Sequence, residues 1–214
     1  MNQPGKFIAF EGGEGTGKST QARLLAEALA ARGIACVLTR EPGGTPGAEA
    51  IRELLLHPPP NHRGGEGWDA EAEALLFAAA RADHVARLIR PALAEGKWVI
   101  SDRFLDSSRA YQGAAGALGD GTVRALHAIG SGGLLPDLTI VLTARDEHVA
   151  ERLRMRDGDR ADAIGGRGGD YHAQVNAAFR AFAEQEPERF ALIDGEGTVE
   201  DVHAWTLAAV APLW

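Results

Sequence analysis

The chain is short of several things, and each shortage closes off a class of function. Its 214 residues include one cysteine, Cys36, so no internal disulfide can form and a reducing cytoplasm is the expected compartment. No apolar run is long enough to cross a bilayer. The opening segment, "MNQPGKFIAF", lacks the basic region, apolar stretch and small-residue cleavage site of a secretory signal. Basic residues number 22 against 30 acidic ones, and the net charge of −8 argues against a general nucleic-acid or membrane surface. A phosphate ligand needs only local positive charge and stays open. Lysine is scarcer still: Lys6, Lys18 and Lys97 are the only three, and the remaining basic side chains are arginine. A lysine at a motif position therefore says more here than an arginine does.

What is present reads as one soluble globular domain covering residues 1–214, with 45% hydrophobic and 24% charged residues. Strand-like and helix-like stretches alternate without an internal repeat. Residues 6–11, 34–39, 97–102, 138–143 and 189–194 read as strands. Helices are expected at 18–32, about 69–93, 146–156 and about 171–185, and from about 199 onward. A short helix should follow the "EPGGTPG" loop at 41–47 and stop before Pro58, and further helical material lies between the third and fourth strands. The alternation predicts a three-layer α/β/α fold with a five-stranded parallel sheet and right-handed crossovers. Ligands in such folds bind at the carboxyl ends of the strands.

The first strand runs into "FEGGEGTGKST", in which Gly12, Gly17, Lys18 and Ser19 have P-loop spacing. Backbone N–H groups from Gly12, Gly13, Glu14, Gly15, Thr16 and Gly17 would surround a phosphate, helped by Ser19, Thr20 and the helix N-terminus. Lys18 would reach the β and γ phosphates, and Ser19 would ligate Mg²⁺. The bland reading is a glycine turn between strand and helix. Such a loop identifies a donor site, not a reaction: switches, motors and kinases share it. A GTPase would also carry an Asn-Lys-x-Asp base-reading motif, and none of the three lysines stands in one.

Three further stretches suit an acceptor. Asp102 ends the third strand where a metal-holding acid would sit, and Arg103 beside it is placed to clamp a phosphate. Phe77 and Arg81 lie four apart on the long helix and share a face, a ring to stack on a base and a guanidinium to bond its edge. "TREPGGT" at 39–45 follows the second strand. Each has a structural alternative: Phe77 as core, Arg81 as a solvated helix residue, Pro42-Gly43-Gly44 as a turn, Asp102–Arg103 as an ion pair.

Taken together, "FEGGEGTGKST", "TREPGGT", Phe77 with Arg81, "DRFLDSSRAYQG" at 102–113, "PDLTIVL" at 136–142 and "DRAD" at 159–162 resemble the bacterial branch of the thymidylate kinase family, over nearly the whole chain. The resemblance implies a P-loop nucleoside-monophosphate kinase that uses ATP and Mg²⁺ to convert dTMP to dTDP, as a homodimer. It also implies roles. Glu14 would contact the sugar 3′-hydroxyl, Phe77 would stack on thymine and Arg81 would donate to a thymine oxygen. Arg40 and Arg103 would grip the acceptor phosphate, Ser107, Ser108 and Gln112 would line the acceptor site, and Tyr111 would crowd the 2′ position. Some members carry an arginine where this chain has Gly15. The missing charge is expected from a flexible lid at about 152–170, where Arg152, Arg154, Arg156, Arg160 and Arg167 lie, with Arg156, Arg160 and Arg167 as the candidates. A kinase for another nucleotide, such as dUMP or CMP, and a P-loop regulatory switch are the competing readings.

Overall fold

The computed structural model describes residues 5–59, 67–144 and 169–214. The helix expected at 146–156 and the lid arginines lie outside the described residues. Five parallel strands form one sheet: β1 (Phe7–Glu11), β2 (Cys36–Arg40), β3 (Trp98–Asp102), β4 (Leu138–Thr143) and β5 (Phe190–Asp194), in the order β2-β3-β1-β4-β5. β1 is central and wholly buried, an apolar run FIAF ending in the buried Glu11, because helices cover both faces of the sheet. The order reverses on either side of β1, so its carboxyl end is the switch point at which ligands bind.

The helices are α1 (Lys18–Ala31), α2 (Pro46–Leu56), α3 (Ala70–His84), α4 (Arg90–Ala94), α5 (Leu105–Ser108), α6 (Asp120–Ser131), α7 (Gly169–Gln185) and α8 (Val199–Val210). Local chemistry sets several of their starts. Thr45 caps α2 by accepting from the Ala48 N–H, with Pro46 in the first turn. Thr198 and Asp201 form a reciprocal capping box at the start of α8. Leu25 and Leu29 of α1 pack with Phe10, Ile100 and Ile140 on one face of the sheet. On the other face, Phe7, Val99, Ile89 and Phe104 close a second cluster. Burying side chains of that size contributes about 1.5–3 kcal/mol each.

Three details differ from the sequence reading. β2 starts at Cys36 rather than Ile34, because its bounds follow its pairing with β3, from Cys36 opposite Trp98 to Arg40 opposite Asp102. The long helix passes through a π-helical stretch at Val85–Ile89 before α4 completes it. A second π-helical stretch, Arg109–Ala115, follows α5 and carries part of the acceptor motif. Its wider turn is a device often found at functional sites.

Candidate active site

The loop leaving β1 is shaped by what surrounds it. Gly12 has φ +129°, and a Cβ there would lie 2.2 Å from the Leu142 carbonyl oxygen. Gly17, at φ +96°, turns the chain into α1. Thr16 and Lys18 are buried, and both donate to the Gly13 carbonyl, the hydroxyl at 3.0 Å. The amino group of Lys18 thus lies inside the loop, beside the N-terminus of α1. Burial, and after it the Arg103 guanidinium, hold the Lys18 ammonium down to about 7. Ser19, on the first turn of α1, donates to Asp102 at the end of β3. The other oxygen of that carboxylate, Oδ1, is buried and has no hydrogen-bond partner among the described residues.

Arg103 follows β3 at φ +72°, a left-handed conformation that arginine seldom adopts. Glu11 holds it there. This buried carboxylate at the end of β1 accepts the backbone N–H groups of Phe104 and Ser107, each at 2.9 Å, and the Ser107 hydroxyl. Burial first, and then the charge of Asp106, push the Glu11 carboxyl up to about 7. The Arg103 guanidinium donates to the Gly12 carbonyl at 3.2 Å, to the Ser107 hydroxyl at 3.0 Å and to the Tyr111 hydroxyl at 3.4 Å. Burial would lower its pKa, but Tyr111, Asp102, Glu11 and Glu14 more than offset this and keep the charge firmly on.

A cleft opens beside Arg103, and Glu14, Phe77, Arg81, Ser107, Ser108, Tyr111 and Gln112 share its walls. Phe77 belongs to none of the core clusters, which leaves its ring to the cleft. Arg81 is buried at 3% exposure; it donates to Glu41 at 2.8 Å, to the Ser108 hydroxyl at 2.8 Å and to the Phe104 carbonyl at 3.2 Å. Glu41 also pairs with His84 Nδ1 at 3.0 Å, and His84 Nε2 meets the Thr39 hydroxyl at 2.8 Å. Gln112 donates to Glu73 at 2.8 Å.

Arg40 is placed elsewhere. It pairs with Glu49 at 3.0 Å with its side chain 55% exposed, and it lines a second cleft with Ser19, Leu38 and Asp102. Arg52, which the sequence reading passed over, lines the same cleft as Arg81 and Arg103 and donates to the Pro42 carbonyl at 2.9 Å. Its signal was available: Arg52 stands four residues from Ala48, on the inward face of α2, where an apolar side chain would be ordinary. Glu11, Glu41 and Glu73 were also passed over, since the partner of each lies far along the chain.

A glycine-rich loop at the switch point, with a polar-and-aromatic cleft that shares Glu14 with it, is the arrangement of a P-loop phosphotransferase. Residues 10–205 match the family model described as thymidylate kinase. The thymidylate kinase of Rhizorhabdus wittichii is 53% identical over 98% of this chain and 99% of its own length. That of Chromohalobacter salexigens is 48% identical over 94% of this chain and 92% of its own. The crystal structure of the Ehrlichia chaffeensis thymidylate kinase superposes with a TM-score of 0.73 at 30% identity, covering 97% of this chain and 99% of that one. The chain belongs to the thymidylate kinase family, and its activity is the phosphorylation of dTMP to dTDP.

Proposed function

We propose that dTMP lies in the cleft with its base on Phe77 and its phosphate toward Arg103, while ATP lies along residues 12–20. The observation that carries this reading is that Glu14 and Arg103 belong to both sites. Glu14 is in the loop yet lines the cleft, and Arg103 lines the cleft yet donates to the Gly12 carbonyl at 3.2 Å. Transfer of a phosphoryl group needs its donor and acceptor oxygens in line, with positive charge around the moving group. Lys18 serves the donor side and Arg103 stands between donor and acceptor. Arg52 lines the cleft together with Arg81 and Arg103, and it suits the acceptor phosphate better than Arg40, which lies outside that cleft and pairs with Glu49. Arg81 donates to a carbonyl of the base, Ser108 and Gln112 complete the reading of its edge, and Glu14 and Tyr111 face the sugar.

Ser19 and Asp102 would hold Mg²⁺, and they fit it: both offer hard oxygen donors, and Asp102 Oδ1 has no hydrogen-bond partner among the described residues. The ion, when bound, neutralises the charge shared by the β and γ phosphates. The lid arginines Arg156, Arg160 and Arg167 would supply the charge that Gly15 does not.

A homodimer is part of the same reading. α3 and α6 pack side by side, and Leu75 and Ile129 on them are 55% and 85% exposed, apolar surface that a second copy would cover. No helix among the described residues is long and apolar enough to cross a membrane. Steady-state ADP release with MgATP and a panel of nucleoside monophosphates tests the substrate placement. Wild type should favour dTMP, and Phe77→Ala should raise the KM for dTMP far more than that for ATP. Equal effects on both constants would remove Phe77 from the acceptor site.

A further inference from the structure

On α3, Glu73, Phe77 and Arg81 stand four residues apart along one face. Phe77 and Arg81 reach the cleft, but Glu73 does not line it. It stands behind Gln112, whose amide nitrogen donates to Glu73 Oε1 at 2.8 Å. Gln112 itself is buried, at 3% exposure, and does line the cleft. The chemistry of this contact is one-directional. An amide has a donor end and an acceptor end, and either can usually be turned toward a ligand, whereas a carboxylate only accepts. With Glu73 behind it, the NH₂ of Gln112 must face the helix, and the carbonyl oxygen is the end left for the cleft.

We propose that Glu73 is a positioning residue that selects the pyrimidine by fixing the direction of the Gln112 amide. The cleft then presents a guanidinium donor from Arg81 beside a carbonyl acceptor from Gln112. That pair matches a 4-keto pyrimidine, which has a carbonyl at position 4 and an N–H at position 3. A 4-amino pyrimidine offers the reverse, an amino donor and a bare ring nitrogen. It would leave both protein groups facing a like partner, and unmatched buried groups are how polar sites reject analogues. Turning the amide over to suit cytosine would set its oxygen against the carboxylate of Glu73.

This inference rests on the placement of the base against Phe77 and Gln112, and the test separates the two. Ratios of kcat/KM for dTMP and dCMP are measured for wild type, Glu73→Gln, Gln112→Ala and the double variant, with Tm recorded for each. Glutamine at position 73 both donates and accepts, so it releases the Gln112 amide to turn. The expected result is a ratio in Glu73→Gln lower by about tenfold to a hundredfold, the worth of a hydrogen bond to a charged group. This should appear through a higher KM for dTMP and a lower one for dCMP. In the Gln112→Ala background, Glu73→Gln should change the ratio no further. If Gln112→Ala leaves the ratio at the wild-type value, the base is not read by Gln112, and both the placement and the proposal fall. If Gln112→Ala lowers the ratio but Glu73→Gln does not, or lowers it equally with and without Gln112, the placement stands and the role of Glu73 is refuted. A change in Tm alone, with the ratio intact, likewise refutes it by making Glu73 purely structural.

Discussion

Glu41 holds two groups beside the proposed dTMP cleft, and its removal should be felt in both stability and binding. Its carboxylate accepts from Arg81 Nε at 2.8 Å and pairs with His84 Nδ1 at 3.0 Å, and the Glu41 and Arg81 side chains are each 3% exposed. Such a pair contributes little net stability when intact, because desolvation offsets the attraction, but breaking it leaves a buried charge uncompensated. Glu41→Ala strands the Arg81 guanidinium and opens a small void, for an expected loss of about 3–5 kcal/mol. Glu41→Gln is gentler: its oxygen can accept from Arg81, while its NH₂ can face His84 in the tautomer whose Nε2–H donates to Thr39. Only the charge is then lost, at about 1.5–3 kcal/mol. For a chain of this size 1 kcal/mol is worth about 2–4 °C in Tm. Differential scanning calorimetry should therefore place Glu41→Ala roughly 6–20 °C below wild type, and Glu41→Gln between the two. With Arg81 loosened, the KM for dTMP should rise in both variants while that for ATP holds. A Tm for Glu41→Ala within about 2 °C of wild type would show that the cluster carries no compensated charge.

The remaining predictions concern charge and the ring. Arg103→Ala should cut kcat/KM for dTMP by about 10³-fold or more with Tm little changed, because the proposed placement sets the guanidinium between donor and acceptor; activity within tenfold of wild type would refute the role. Lys18, held near 7 in the free protein, is mostly neutral at pH 8.5, and bound phosphates return it toward its ordinary 10.5. ATP binding at pH 8.5 should then take up about one proton, read by calorimetry in Tris and HEPES, and no uptake would refute the burial argument. Glu11 is raised to about 7 from an ordinary 4.5, so the folded state holds its proton more tightly than the unfolded one. Its contribution is fully present below 4.5 and is lost as pH rises through 7; Glu11→Gln should lack this dependence, and parallel Tm–pH curves for the two proteins would refute it. Phe77→Ala should weaken dTMP binding by about tenfold to a hundredfold through lost stacking, with Tm nearly unchanged since the ring is outside the core.

The loop of the candidate donor site was legible in the sequence because its information is local. Gly12, Gly17, Lys18 and Ser19 fall within eight residues, between a strand and a helix, and the loop that they imply is the loop observed. The sheet was legible for a similar reason: strands buried on both faces show as short apolar runs, and four of the five lie within one residue of their expected starts. The exception, β2, has no buried residue along its length, and its limits follow its pairing with β3. The candidate acceptor cleft was legible only in part, because its charges are assigned by burial rather than by spacing. Arg40 and Glu41 are neighbours in one motif, but successive residues leaving a strand face opposite ways. Here the arginine faces out to Glu49, while the glutamate, at 5% exposure, turns in to Arg81, 40 residues on. Glu11 presents the same difficulty in sharper form: at the end of an apolar strand it reads as a boundary, yet its partners are Phe104 and Ser107, 93 and 96 residues away. One sequence signal does reach across such distances, a charged residue at an inward position of an amphipathic helix. Arg81 and Arg52 both meet it, and both line the cleft. Burying an arginine is costly unless something nearby uses or compensates its charge, so each such position marks a carboxylate, a ligand or both.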